Sequence, residues 1–182
     1  MKNRQNAVRA SSAVILAAAI AGAWMAPAFA QSMQQAPVSH ADRAFVTAML
    51  QQSRGQLAVA QLAETRATGA RASSAAAQTI AEWTALRSRL NSIAYAQGAP
   101  VRGTLDAGQQ TLLDRLGRTR PAHFNDAFLK AVQRGNTAAL DRMQRENSTL
   151  DPGVQRFIAY AQPVVSSDEQ MTSDDILGER SM

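Results

Sequence analysis

The sequence predicts an all-α protein, an antiparallel four-helix bundle with a short extra helix between its second and third long helices. Three observations predict it. Ala, Leu, Gln and Arg dominate and β-branched runs are absent, which are helix-forming choices. Pro and Gly are sparse and sit at segment ends. Apolar residues recur every three or four positions in four separate stretches, the spacing of helices that each bury one face.

The chain opens with a secretory signal pattern, expected to span residues 1–30. Lys2, Arg4 and Arg9 form a positive start, and Ala13–Ala23 is an uninterrupted run of small and apolar residues. Ala28 and Ala30 then occupy the −3 and −1 positions of an Ala-x-Ala cleavage site. The apolar run is about half the ~20 residues that a bilayer span requires, so cleavage is expected rather than a retained anchor. No Cys follows as a lipid acceptor and no twin-Arg pair precedes the apolar run. The expected product is periplasmic, begins at Gln31 and has no transmembrane span. It is one domain's length, and without Cys it depends on packing rather than on disulfides.

Residues 31–41 read as a flexible lead-in. Ser39-x-x-Asp42 is a capping-box pattern, with the acid near the positive end of the helix dipole. The first helix is expected from about Asp42 to Ala67, with a stripe through Phe45, Met49, Leu50, Leu57, Ala60 and Leu62, and a stop at Thr68-Gly69. The second runs from about Arg71 to Gln97. Its seam, Ile80, Trp83, Leu86 or Arg87, Leu90 and Ile93, is the cleanest in the chain, and Gly98-Ala-Pro100 ends it.

After a loop at 101–104, a short helix from about Asp106 to Leu116 carries Leu112, Leu113 and Leu116, with Gly117 expected to end it. Pro121 suits the first turn of the third long helix, which is expected to reach Asn147 through Phe124, Phe128, Val132, Leu140 and Met143. Gly135-Asn136 interrupts its pattern and is the expected place for a kink. Asp126/Lys130, Asp141/Arg145 and Arg142/Glu146 are (i, i+4) pairs that mark its wet face. Asp151-Pro152 is an N-cap followed by Pro at N1. It opens a fourth helix through Val154, Phe157, Ile158, Ala161 and Val164 or Val165. The bundle domain is expected over 42–165, followed by an acidic, disordered tail over 166–182.

Charge is unevenly placed. The portion from Gln31 holds sixteen Lys and Arg against fourteen Asp and Glu, and five of those acids lie beyond Ser166 against one base, Arg180. The bundle is therefore basic. That balance serves solubility first and also suits anionic envelope components. Nucleic acid is not an expected partner, because no basic cluster with interleaved aromatics occurs.

Several residue sets resemble a known family: Asp42-Arg-Ala-Phe45, Gln61-Leu62-Ala63, Leu90 with Ile93-Ala94, and Gly98-x-Pro100. Leu105-Asp106, Gln110-x-Leu112-Leu113-x-x-Leu116, Phe124-Asn-Asp-Ala-Phe128-Leu and Gln162-Pro163 extend the likeness. The chain resembles a widespread bacterial family of exported proteins, a domain of unknown function commonly labelled as outer-membrane protein. The resemblance implies a ferritin-like four-helix bundle over about Asp42–Val165. It also implies a family set of metal- or proton-handling residues that this chain largely lacks. Gln56 stands where the family has Glu, and Glu82-Trp83 where it has an Asp-His pair. Gly135 or Asn136 stands where it has His, and the region of Asp168 where it has a further His.

The residues themselves support no catalytic, cofactor or metal set. A di-iron bundle needs Glu-x-x-His on two of its helices, and none occurs. Only His40 and His123 are present. His123 with Asp126 reads as a first-turn surface pair, and Glu64 as a surface acid. Glu82 flanks the seam beside Trp83, which reads as core, as do Met49 and Met143. There is no Cys, no Gly-x-Ser-x-Gly elbow, no phosphate-cradling Gly loop and no EF-hand. The expected function is that of an exported, non-catalytic bundle that binds an unknown protein or envelope component. The alternative is a metal-binding bundle or oxidoreductase that gathers Glu64, Glu82, Asp126 or His123.

Overall fold

The computed structural model describes residues 39–99, 103–146, 149 and 151–180. The signal pattern and most of the lead-in lie outside the described residues. Among those described there are five helices and no strand: α1 (His40–Arg66), α2 (Ala70–Ala96), α3 (Ala107–Arg118), α4 (Pro121–Arg145) and α5 (Pro152–Arg180). Among the described residues no helix is long and apolar enough to cross a membrane.

The expected boundaries hold where side chains fix them. Ser39 caps α1, its hydroxyl accepting the Asp42 N–H at 2.9 Å and donating to the Asp42 carboxylate at 2.6 Å. α2 ends in a Schellman turn. Gly98 takes φ 64°, the Gly98 N–H donates to Tyr95 O and the Ala99 N–H to Ala94 O. Asp106 and Gln109 form a reciprocal capping box at the start of α3. Asp151 Oδ1 accepts the N–H groups of Gly153 and Val154 at the start of α5.

Three expectations need correction. Gly117 does not end α3, which continues to Arg118. Arg66 of α1 holds that terminus by donating to the carbonyls of Leu116, Gly117 and Thr119 while stacking over Phe124. Gly135 does not interrupt α4, which is helical throughout. The segment beyond Ser166 is not a loose tail: α5 carries on to Arg180, through Pro163, and buries Asp168 and Thr172. Of the three expected ion pairs on α4, Asp126–Lys130 forms at 2.6 Å, and the other two are absent among the described residues.

The core consists of two apolar clusters stacked along the bundle. One gathers Phe45–Leu57 of α1, Trp83–Ala94 of α2, Ala139–Met143 of α4 and Val154–Val165 of α5. The other gathers Val59–Ala63, Ala72–Ala76, Leu116 and Phe124–Val132. α1 and α5 therefore run from the first cluster toward the second, and α2 and α4 run back. α1 packs on α2 and α4, and α5 packs on α4 and α2, so neighbouring helices are antiparallel. α2 ends at one end of the bundle and α4 begins at the other. α3 lies on the long connection between them, against α1 and α4.

Candidate functional site

Between the two clusters each long helix places polar side chains in the interior. α1 contributes Ser53 and Gln56, α2 Thr79, α4 Asn136, and α5 Asp168; all are essentially buried. Their positions follow from the apolar stripes. Thr79 lies between Ala76 and Trp83 on the buried face of α2, and Asn136 lies between Val132 and Ala139 on that of α4. Each helix thus substitutes a polar residue for an apolar one near a common level, and α1 does so twice.

The side chains are wired together. Gln56 Nε2 donates to Asn136 Oδ1 at 2.8 Å and to the Val132 carbonyl at 3.2 Å. Asn136 Nδ2 in turn donates to Asp168 Oδ2. Buried polar groups require such partners, because an unmet donor or acceptor costs about 1–3 kcal/mol. Gly135 makes the crossing possible. A Cβ there would lie 2.5 Å from the Gln56 carboxamide, and Gln52 Nε2 donates to the Gly135 carbonyl at 3.0 Å. Gly135 is therefore a close-approach glycine between α1 and α4. Ser53 spends its hydroxyl on the Leu50 carbonyl of its own helix, and the buried Thr79 hydroxyl has no partner among the described residues.

Glu82 stands at the rim of this layer, half-buried and accepting a hydrogen bond from Gln78 Nε2 at 2.9 Å. Burial, opposed by the Gln78 hydrogen bond and reinforced by the Asp168 charge, raises its pKa to about 7. Burial also pushes the Asp168 carboxyl upward, against the stabilising bond from Asn136. Two carboxyl groups on adjacent helices α2 and α5 therefore share a region that disfavours charging both. Beside them a hollow of about 450 Å³ is bordered by Arg71, Gln78, Asp168, Met171 and Thr172.

Distal α5 is held by this layer and by polar contacts along it. Thr137 bonds the Glu169 carboxylate at 2.5 Å, and Gln133 Nε2 donates to Ser173 Oγ at 2.9 Å. Among described side chains beyond Val165, the buried ones are Asp168 and Thr172, neither of them apolar.

The candidate residues named from sequence separate cleanly. Glu64, His40 and His123 are exposed. Asp126 is occupied by Lys130, so it forms no pair with His123. Trp83, Met49 and Met143 are wholly buried core. Only Glu82 reaches the layer. The residues that sequence periodicity missed are Asn136, Asp168 and the spacing role of Gly135. Their signal lay in the departures from the family pattern, because Gln56, Glu82, Asn136 and Asp168 all occupy or adjoin those positions. Among the described residues, no group of three or more His, Asp or Glu comes together as a metal-ligand set. The arrangement is an amide–amide–carboxylate chain. Its titratable group is Asp168, with Glu82 beside it, and the two can bind and release a proton there.

Comparison with known proteins agrees with the fold. A crystal structure of a DUF305 fragment from Deinococcus radiodurans superposes with a TM-score of 0.70 at 14% sequence identity. The match covers 77% of this chain and 97% of that one, and it shows a shared fold alone. No curated protein matches the sequence. The sequence signature of a domain of unknown function, DUF4142, matches residues 27–174, which is most of the chain. The chain belongs to the DUF4142 family.

Proposed function

We propose that this is an exported, non-catalytic helical bundle that acts in the periplasm by binding an envelope component or protein partner. The observation that carries the reading is the interior layer itself. Four helices bring polar side chains to one level, as a bundle with an internal site does. Here two amides and one buried carboxylate satisfy each other there. An amide nitrogen is a donor, not a ligand, and replacing a carboxylate by an amide removes the charge that attracts a cation. The Ala-x-Ala pattern at residues 28–30 supports export.

The test is to express the full chain in a Gram-negative host and isolate the periplasmic product without chelators or a His tag. Intact mass is expected to place the N-terminus at Gln31. Elemental mass spectrometry is expected to find no near-stoichiometric iron, manganese or zinc. A cytoplasmic, uncleaved product would overturn export. One metal per chain would overturn the reading of the layer and favour the second reading, a metal-binding bundle or oxidoreductase. The observation on that side is the pairing of Glu82 with Asp168 across α2 and α5. In that case Glu82→Gln combined with Asp168→Asn would release the metal.

A further inference from the structure

Distal α5 is fastened to its two neighbours by unequal chemistry. Toward α4 it is held by Asp168 on Asn136, Glu169 on Thr137 and Ser173 on Gln133, all of them contacts between ordinary nitrogen and oxygen groups. Toward α2, Gln78 Nε2 donates to Met171 Sδ at 3.9 Å. A thioether is a weak acceptor, so this contact is soft. The same Gln78 nitrogen donates to Glu82 Oε1 at 2.9 Å. A carboxamide nitrogen carries two N–H groups, so Gln78 serves both partners at once.

Among the described methionines, Met171 is also the one that solvent reaches. Met49 and Met143 are fully buried in the first apolar cluster, whereas Met171 is 41% exposed and borders the hollow beside Asp168 and Thr172. A thioether is oxidised only where the sulfur meets the oxidant, so exposure decides which methionine reacts. In an apolar core the polar sulfoxide is disruptive. At Met171 the sulfur already faces an amide donor, and its exposed side leaves room for one more atom. The unbranched side chain turns easily. A sulfoxide oxygen that replaces Sδ as acceptor therefore reaches Gln78 Nε2 at the ordinary length of about 2.9 Å.

We propose that Met171 is a reversible oxidation site, at which a peroxide converts the thioether to a sulfoxide whose oxygen takes the Gln78 N–H and fastens distal α5 to α2. The sulfur lone pair attacks the terminal oxygen of a peroxide, ROOH. The S–O bond forms as the O–O bond breaks. The proton on the transferred oxygen passes to the departing alkoxide, which leaves as ROH. Sulfur gives up two electrons and the peroxide takes them. A methionine sulfoxide reductase reverses the change. Gln78 keeps its second N–H for Glu82, so the new bond is added without breaking the old one. The site is independent of the proposed export and of whether the interior layer holds a metal.

The experiment treats the purified full chain with hydrogen peroxide, stops the reaction with catalase, and reads it in two ways. Peptide mass mapping locates each added oxygen, and amide hydrogen exchange follows α5. Met171 is expected to gain one oxygen well before Met49 and Met143 do. Protection over residues 166–173 is then expected to rise at least about threefold, the effect of one added neutral hydrogen bond. Two variants separate this from oxidation elsewhere in the chain. Met171→Leu, treated in the same way, is expected to show no rise. Gln78→Ala is expected to oxidise at Met171 as the parent does and to show no rise either. Treatment of the oxidised parent with a methionine sulfoxide reductase is expected to return protection to its starting value. Oxidation of Met171 no faster than Met49 and Met143 would overturn the proposal. So would unchanged or lowered protection in the oxidised parent, or a rise that persists in either variant.

Discussion

The two halves of α5 are built on different principles. The proximal half, Pro152–Val165, is an ordinary amphipathic helix. Val154, Phe157, Ile158, Ala161 and Val165 are buried, and Phe157 meets Phe45 edge to face at 6.2 Å. The distal half, beyond Pro163 and Val165, docks through Asp168, Glu169 and Ser173 on partners in α4. Between them Pro163 has no N–H to give the Ala159 carbonyl, so one rung of the helix is missing at the transition. Apolar burial is non-directional and insensitive to pH. A buried polar contact is directional, and where it involves a carboxyl it answers to protons. One helix thus combines an anchor with a segment whose docking depends on charge.

The largest expected effect breaks the anchor. Phe157→Ala removes a wholly buried ring and its aromatic contact, and is expected to destabilise the fold by about 3–5 kcal/mol. Urea unfolding followed by circular dichroism measures it. A loss below about 1 kcal/mol would mean the proximal half is not the anchor.

Gly135→Ala attacks the polar layer from the other side. Its Cβ would strike the Gln56 carboxamide and force apart the bond that orients Asn136 toward Asp168. The expected cost is about 1–3 kcal/mol, even though Ala is the better helix former by about 1 kcal/mol. A stabilised variant would show that the close approach carries no weight.

Titration sharpens the comparison further. Glu82 has a folded pKa of about 7, above its ordinary value of 4.5, and Asp168 is shifted in the same direction. The folded state therefore holds protons that the unfolded chain releases. This contribution is fully present below the unfolded value and is lost as pH rises through about 7. Stability is expected to fall between pH 5 and pH 8 by on the order of 1–2 kcal/mol, after allowance for the partial exposure of Glu82. Glu82→Gln is expected to flatten most of that slope. A stability that rises over the same interval would contradict the assignment.

These regions also differ in how much of them could be read from sequence. The seam around Trp83, the caps at Ser39, Asp106 and Asp151, and the antiparallel bundle with a short extra helix were all legible. Each leaves a local mark, an apolar period or a cap residue at a fixed offset. The distal half of α5 was not legible. Its apolar period ends at Val165, and a helix docked by polar side chains looks like a solvated tail. Gly135 was ambiguous for a related reason: glycine marks a kink and a close approach alike, and only the neighbouring helix reveals the close approach. The interior layer has no signature within any single helix, because Gln56, Asn136 and Asp168 are each an ordinary polar residue until three helices converge. The family pattern did point at those positions, through what this chain has there instead of His and Glu.

The most direct test of this account is amide hydrogen exchange along α5 in the parent protein and in Asn136→Leu at pH 6. The substitution leaves Gln56 Nε2 and the Asp168 carboxylate without their shared partner. The account predicts that protection over residues 166–173 falls by at least about tenfold more than protection over 154–162, as local opening of the distal half. Equal changes in both halves, or none in the distal half, would contradict the claim that the polar layer holds it.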